Sequence, residues 1–184
     1  MAVQRGFGTI IFSIIGIVIV VLAVFVILKI VRSEPPVVPL IYKSIDLRQA
    51  ENPVDRADLI TNIDDLVVDL DNKEVKDQWD RMMQCLSTSC PDEAYLDMVL
   101  VAVANFEGDV PHSDVLINVI ATNKYWGNDE HLLEFSKALS MANEQVLLLD
   151  NRKAEKLWEQ IVECNDACSE KNGLYFDFIR AVVQ

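Results

Sequence analysis

Between Gly6 and Leu28 the chain places no charged residue, and Ile, Val, Leu and Phe dominate the stretch. At about 1.5 Å per helical residue such a run spans the roughly 30 Å hydrocarbon core of a bilayer, so the pattern predicts one N-terminal transmembrane helix. A cleaved signal peptide would have an apolar core of about 7–15 residues and a small-x-small site behind it. Val31-Arg32-Ser33 serves that purpose poorly. The expectation is a retained anchor over residues 1–32 that meets the membrane through residues 6–31. Pro35, Pro36 and Pro39 then predict an extended, Pro-rich linker over residues 33–45.

Beyond the linker the apolar positions follow a helical period. Leu59, Ile60, Ile63, Leu66, Val67 and Leu70 form one face, Val75, Trp79, Met82, Met83 and Leu86 the next, and Leu96, Val99, Leu100 and Val103 a third. Val115 to Trp126 predicts a further helix. No alternating β-branched run with a hairpin signal interrupts them, so residues 46–184 are expected to form an all-α domain.

The helical pattern is written twice. Residues 71–85, DNKEVKDQWDRMMQC, match residues 150–164, DNRKAEKLWEQIVEC, with Asp71, Asn72, Trp79 and Cys85 facing Asp150, Asn151, Trp158 and Cys164. Tyr95-x-Asp97 corresponds to Tyr175-x-Asp177 with the register slipped by one residue. The expectation is two diverged three-helix repeats at about 55–106 and 129–183, joined by the Val115–Trp126 helix. They could pack about a twofold axis or stack as a short solenoid. Asp71 or Asn72, and Asp150 or Asn151, are placed to cap the Trp helices. Pro91 suits a helix start, and Asn172-Gly173 a helix stop.

Charge narrows the partners. Removing Arg5, Lys29 and Arg32 leaves 13 basic against 29 acidic residues in residues 33–184, a net charge of −16. That surface repels phosphates and anionic headgroups, which excludes nucleic acid as a partner and leaves a protein. Thr9, Ser13, Gly16, Val20 and Ala23 put small side chains on one stripe of the apolar segment, where a second transmembrane helix could approach.

All four cysteines belong to the repeat. Cys85 and Cys90 fall at a helix–helix corner, and Cys164 and Cys168 are one helical turn apart, so each pair can form a local disulfide. Cross-repeat pairing stays open, because spacing does not fix connectivity. Two close pairs with none left over fit an oxidising compartment and place the domain outside the cytoplasm, although the basic residues flanking the apolar segment are nearly balanced. The alternative is a cytoplasmic four-cysteine zinc site, with gaps of four and three residues where zinc usually takes two.

Trp79 and Trp158 lie on apolar helix faces as core anchors. Tyr125 and Trp126, just before Gly127, fall in a connection and are the candidate partner contact. The acidic run Asp64, Asp65, Asp69 and Asp71 fails the calcium-loop pattern, with Lys73 and Glu74 at a ligand and the turn-glycine position. His112 and His131 lack ligand-spaced partners, and Glu130, His131 and Glu134 do not make a Glu-x-x-His pair. There is no HExxH, GxSxG or phosphate-binding glycine loop. No enzymatic activity, cofactor or metal is expected.

Gln4-Arg5-Gly6 followed by Phe7 resembles the leader of type IV prepilins, in which a short basic segment ends in Gly before a Phe that opens the apolar helix. The resemblance covers about the first 25 residues. Ile11 stands where pilins usually carry Glu, and the three prolines follow where their helix continues. It implies cleavage before Phe7 and a subunit of a filament or secretion apparatus. The residues as a whole read as a membrane-anchored, extracytoplasmic helical interaction or scaffold module, with the pilin-like subunit and the cytoplasmic zinc-stabilised adaptor as alternatives.

Overall fold

A computed structural model describes residues 35–184 except 88 and 165–170. The apolar stretch with its small-residue stripe, the Gly6-Phe7 junction and Cys168 lie outside the described residues. Among the described residues every regular element is helical, and no helix is long and apolar enough to cross a membrane. Eight α-helices follow one another: α1 Val37–Gln49, α2 Pro53–Leu70, α3 Lys73–Leu86, α4 Asp92–Asn105, α5 Ser113–Tyr125, α6 Leu132–Leu148, α7 Arg152–Glu163 and α8 Lys171–Val183.

Helix α1 corrects the expected linker. Pro35 and Pro36 precede the helix and Pro39 occupies its first turn, where N–H groups have no intrahelical acceptor and a missing one costs nothing. The carbonyls of Pro35 and Pro36 accept from the Val38 and Leu40 amides at 3.0 and 3.2 Å. Val37, Leu40, Ile41, Ile45 and Leu47 are then wholly excluded from solvent. Prolines that read as breaking a helix in fact begin one.

Four helices make the centre. α1 packs against α4, α4 against α5, α5 against α8 and α8 against α1, which closes a ring, and α4 also touches α8. These helices are buried nearly all round: α8 hides Tyr175, Phe176, Phe178, Ile179, Ala181, Val182 and Val183. Outside the ring lie two hairpins, α2 with α3 and α6 with α7. Each outer helix buries a narrow stripe, Ile63 and Val67 on α2 and Ala138, Ala142 and Val146 on α6. Exchanging α1–α4 for α5–α8 maps this contact pattern onto itself. An open stack would not bring α1 to α8, whereas two units facing each other about an axis would.

The two outer hairpins turn in the same way. Asp71 and Asp150 take left-handed conformations with φ of 45° and 49°. Asn72 and Asn151 follow as N-caps, each side-chain oxygen accepting from the two amides that open the next helix. The Trp79 indole N–H donates to Asp64 at 3.0 Å, and the Trp158 indole donates to Asn143 at 2.7 Å. The Asn172-Gly173 stop is not seen; both residues lie in the first turn of α8, and Gly173 does not take a positive φ.

Candidate functional site

The corner between α3 and α4 is closed covalently. Cys85 sits in the last turn of α3 and Cys90 just before α4; their Cα atoms are 4.9 Å apart and the sulfurs are bonded. Cys164 is also disulfide-bonded. Sulfurs held in disulfides cannot serve as zinc thiolates, and no His, Cys, Asp and Glu cluster among the described residues could hold a metal ion. The Cys85–Cys90 loop is short, so the chain-entropy estimate is about 2 kcal/mol. Replacing both by Ser is expected to lower the unfolding free energy measured in urea by that amount; an unchanged value would mean that the bond only records a corner fixed by packing.

Beside this corner a polar cleft of ≈ 420 Å³ is lined by Arg48, Arg56, Ser89, Cys90, Asp92 and Tyr95, among others. Its organising contact escaped the sequence reading. Arg48 donates through Nε and Nη2 to the two Asp92 carboxylate oxygens at 2.7 and 2.9 Å, and its guanidinium lies 4.6 Å from the Phe176 ring centroid. One side chain thus ties α1 to α4 and α8. The Asp92 hydrogen bond raises Arg48 above its ordinary value, against the opposing effect of burial. Arg180 on α8 adds a bond to Asp46 on α1. Once residues 33–45 are read as a linker, Arg48 has no reason to stand out.

Tyr125 and Trp126 end α5, both half-buried. The Trp126 ring meets Phe135 edge-on at 5.1 Å, and Lys171 Nζ lies 3.0 Å from its centroid. Tyr125 stacks obliquely on His131 at 5.4 Å. The pair therefore joins α5 to α6 and to the start of α8, and only part of each ring faces outward. His131 approaches Glu134 at 3.9 Å, and His112, with φ of 52°, precedes α5. The two histidines stay at separate connections. Asp64, Asp65 and Asp69 are exposed on α2, and Asp64 is engaged by Trp79.

One buried hydroxyl bridges the centre. Tyr175 on α8 hydrogen-bonds to Thr122 on α5 at 2.9 Å, and burial pushes its phenol up to about 12, with the Thr122 contact opposing. An acid whose pKa is raised by folding stabilises the fold fully below its unfolded pKa, and that stability is lost as pH rises towards the folded value. The loss is expected between about pH 10 and 12 and amounts to roughly 2–3 kcal/mol. Tyr175→Phe should flatten that limb of the stability profile, and an unaltered limb would assign it to other groups.

The chain matches no protein-family model, no curated protein and no solved structure.

Proposed function

We propose that this protein is a single-pass, membrane-anchored module whose extracytoplasmic helical domain binds another protein or organises a membrane-associated assembly. The observation that carries the reading is the recurring hairpin of left-handed Asp, Asn cap and Trp-to-side-chain bond, found at Asp71–Trp79 and again at Asp150–Trp158. We read the domain as two copies of a four-helix unit, α1–α4 and α5–α8. The expected three-helix repeats gain α1 and α5 as equivalent first members. Such duplication builds a rigid body with related outer surfaces, a form suited to holding partners. The uncharged Gly6–Leu28 run supports the anchor, and the Cys85–Cys90 bond supports an oxidising compartment.

Protease protection of the full chain in sealed cells, with carbonate extraction of the membranes, tests this. The chain should stay in the membrane pellet and its domain should be cut from outside. A protected domain with free thiols would favour a cytoplasmic adaptor instead. The Arg5-Gly6-Phe7 junction favours a second reading as a pilin-like subunit; a mature N-terminus at Phe7 would replace the anchored module with it, whereas Met1 or Ala2 at the terminus would remove it.

A further inference from the structure

Large apolar side chains left on the surface recur at matching places in the two halves. Val54 and Leu133 are 67% and 80% exposed, and Val68 and Leu147 are 67% and 73% exposed. Each pair is separated by the same 79 positions that separate Trp79 from Trp158. Met83 and Val162, both 40% exposed, form a third pair at that spacing. Neighbouring exposed positions on the same helices have changed character between the halves: Asp58 faces Lys137, Asn62 faces Met141 and Asp69 faces Leu148. Other exposed positions keep their character, Asp55 with Glu134, Thr61 with Ser140 and Asp65 with Glu144, so an acidic and polar frame recurs around the apolar pairs, and burial does not explain why those stay apolar in water.

The spacing gives these residues a shape. Val54, Thr61 and Val68 follow one another at seven-residue intervals on α2, as Leu133, Ser140 and Leu147 do on α6. Seven residues return a helix to within about 20° of the same direction, so each trio forms a ridge roughly 21 Å long on the outer face. Each trio has a polar centre between two apolar ends, so a second helix laid along it would meet two apolar anchors about 21 Å apart.

Charge selects the kind of helix. The α2 ridge is bordered by exposed Asp55, Asp58, Asp65 and Asp69, and Arg56, the one basic residue of α2, is half-buried with Nη2 3.5 Å from the Leu86 carbonyl. The α6 ridge is bordered by exposed Glu134 and Glu144 with Lys137 between them, Val68 shares a cleft with Lys76 and with Lys73, which pairs with Asp77, and the domain around both ridges carries a net charge of −16. A second copy would bring like charge to like charge, and an anionic bilayer would do the same.

Resting on the interaction reading above, we propose that the outer faces of α2 and α6 are two related docking ridges, each taking a partner helix apolar at heptad spacing and basic on its flanks. The probe is a synthetic helical peptide with Leu at heptad seam positions, Lys elsewhere and one benzophenone. It is titrated against the full chain in zwitterionic nanodiscs, with empty discs subtracted and crosslinks mapped by mass spectrometry. Saturable crosslinks are expected on both α2 and α6. Val54→Ser with Val68→Ser should weaken labelling of α2 at least tenfold and leave α6, and Leu133→Ser with Leu147→Ser should do the reverse. Equal labelling by a scrambled peptide of the same composition, or labelling that survives these surface changes, overturns the proposal. Failure here leaves the anchored module standing, whereas a domain found in the cytoplasm removes the proposed location without touching the ridges.

Discussion

Leu40→Ala is expected to destabilise the domain by about 3 kcal/mol, within the roughly 2–5 kcal/mol typical of a large buried side chain reduced to Ala. Leu40 is wholly buried in α1, which meets α2, α4 and α8. Removing its branched end takes away burial and leaves a cavity that the packed core around it fills only in part. For a domain of this length the loss corresponds to roughly 6–12 °C in melting temperature. Exposed Glu51→Ala, just beyond α1, should change stability by less than about 0.5 kcal/mol. A cost below about 1 kcal/mol for Leu40→Ala would return residues 37–45 to the role of a surface linker.

Trp79→Ala and Trp158→Ala are each expected to cost about 3–5 kcal/mol, since both indoles are almost fully buried. A finer test uses the difference between the halves. Asp64 accepts from Trp79 where Asn143 accepts from Trp158, so the junction works with either oxygen. Asp64→Asn should therefore leave the unfolding free energy measured in urea within about 0.5 kcal/mol of the parent, while Asp64→Leu strands the indole N–H and should cost about 1–3 kcal/mol. A large penalty for Asp64→Asn would show that the carboxylate does something its counterpart cannot, and the two hairpins would not be equivalent.

Much of the hairpin architecture was legible because the signals are local. The period of Leu59 to Leu70 and of Val75 to Leu86 marked α2 and α3, and the caps were narrowed to Asp71 or Asn72 and to Asp150 or Asn151, of which the structure uses the Asn in each case. Cys85 and Cys90, five residues apart, could be placed at a helix–helix corner, while the choice between a local and a cross-repeat bond came from the structure. The missed helix was α1. Val37, Ile41 and Ile45 have helical spacing, but three prolines in five residues outweigh it until their position in the first turn is known. Asn172-Gly173 misled for the opposite reason, since a glycine marks a helix end only where the backbone takes positive φ.

The sequence by itself determined an all-α domain, the 79-residue offset at which Asp-Asn, Trp and Cys recur, a strongly acidic composition and an apolar N-terminal run; each follows from spacing or composition alone. Only the tertiary structure decided that α1 and α8 meet, that Arg48 ties three helices together, and that Tyr125 and Trp126 are largely engaged by Phe135, His131 and Lys171. It also decided which apolar residues remain outside. Val67 and Val68 are adjacent and chemically identical, yet one is 2% and the other 67% exposed. The period of a helix says which residues share a face, and only the packing of other helices says which face is covered.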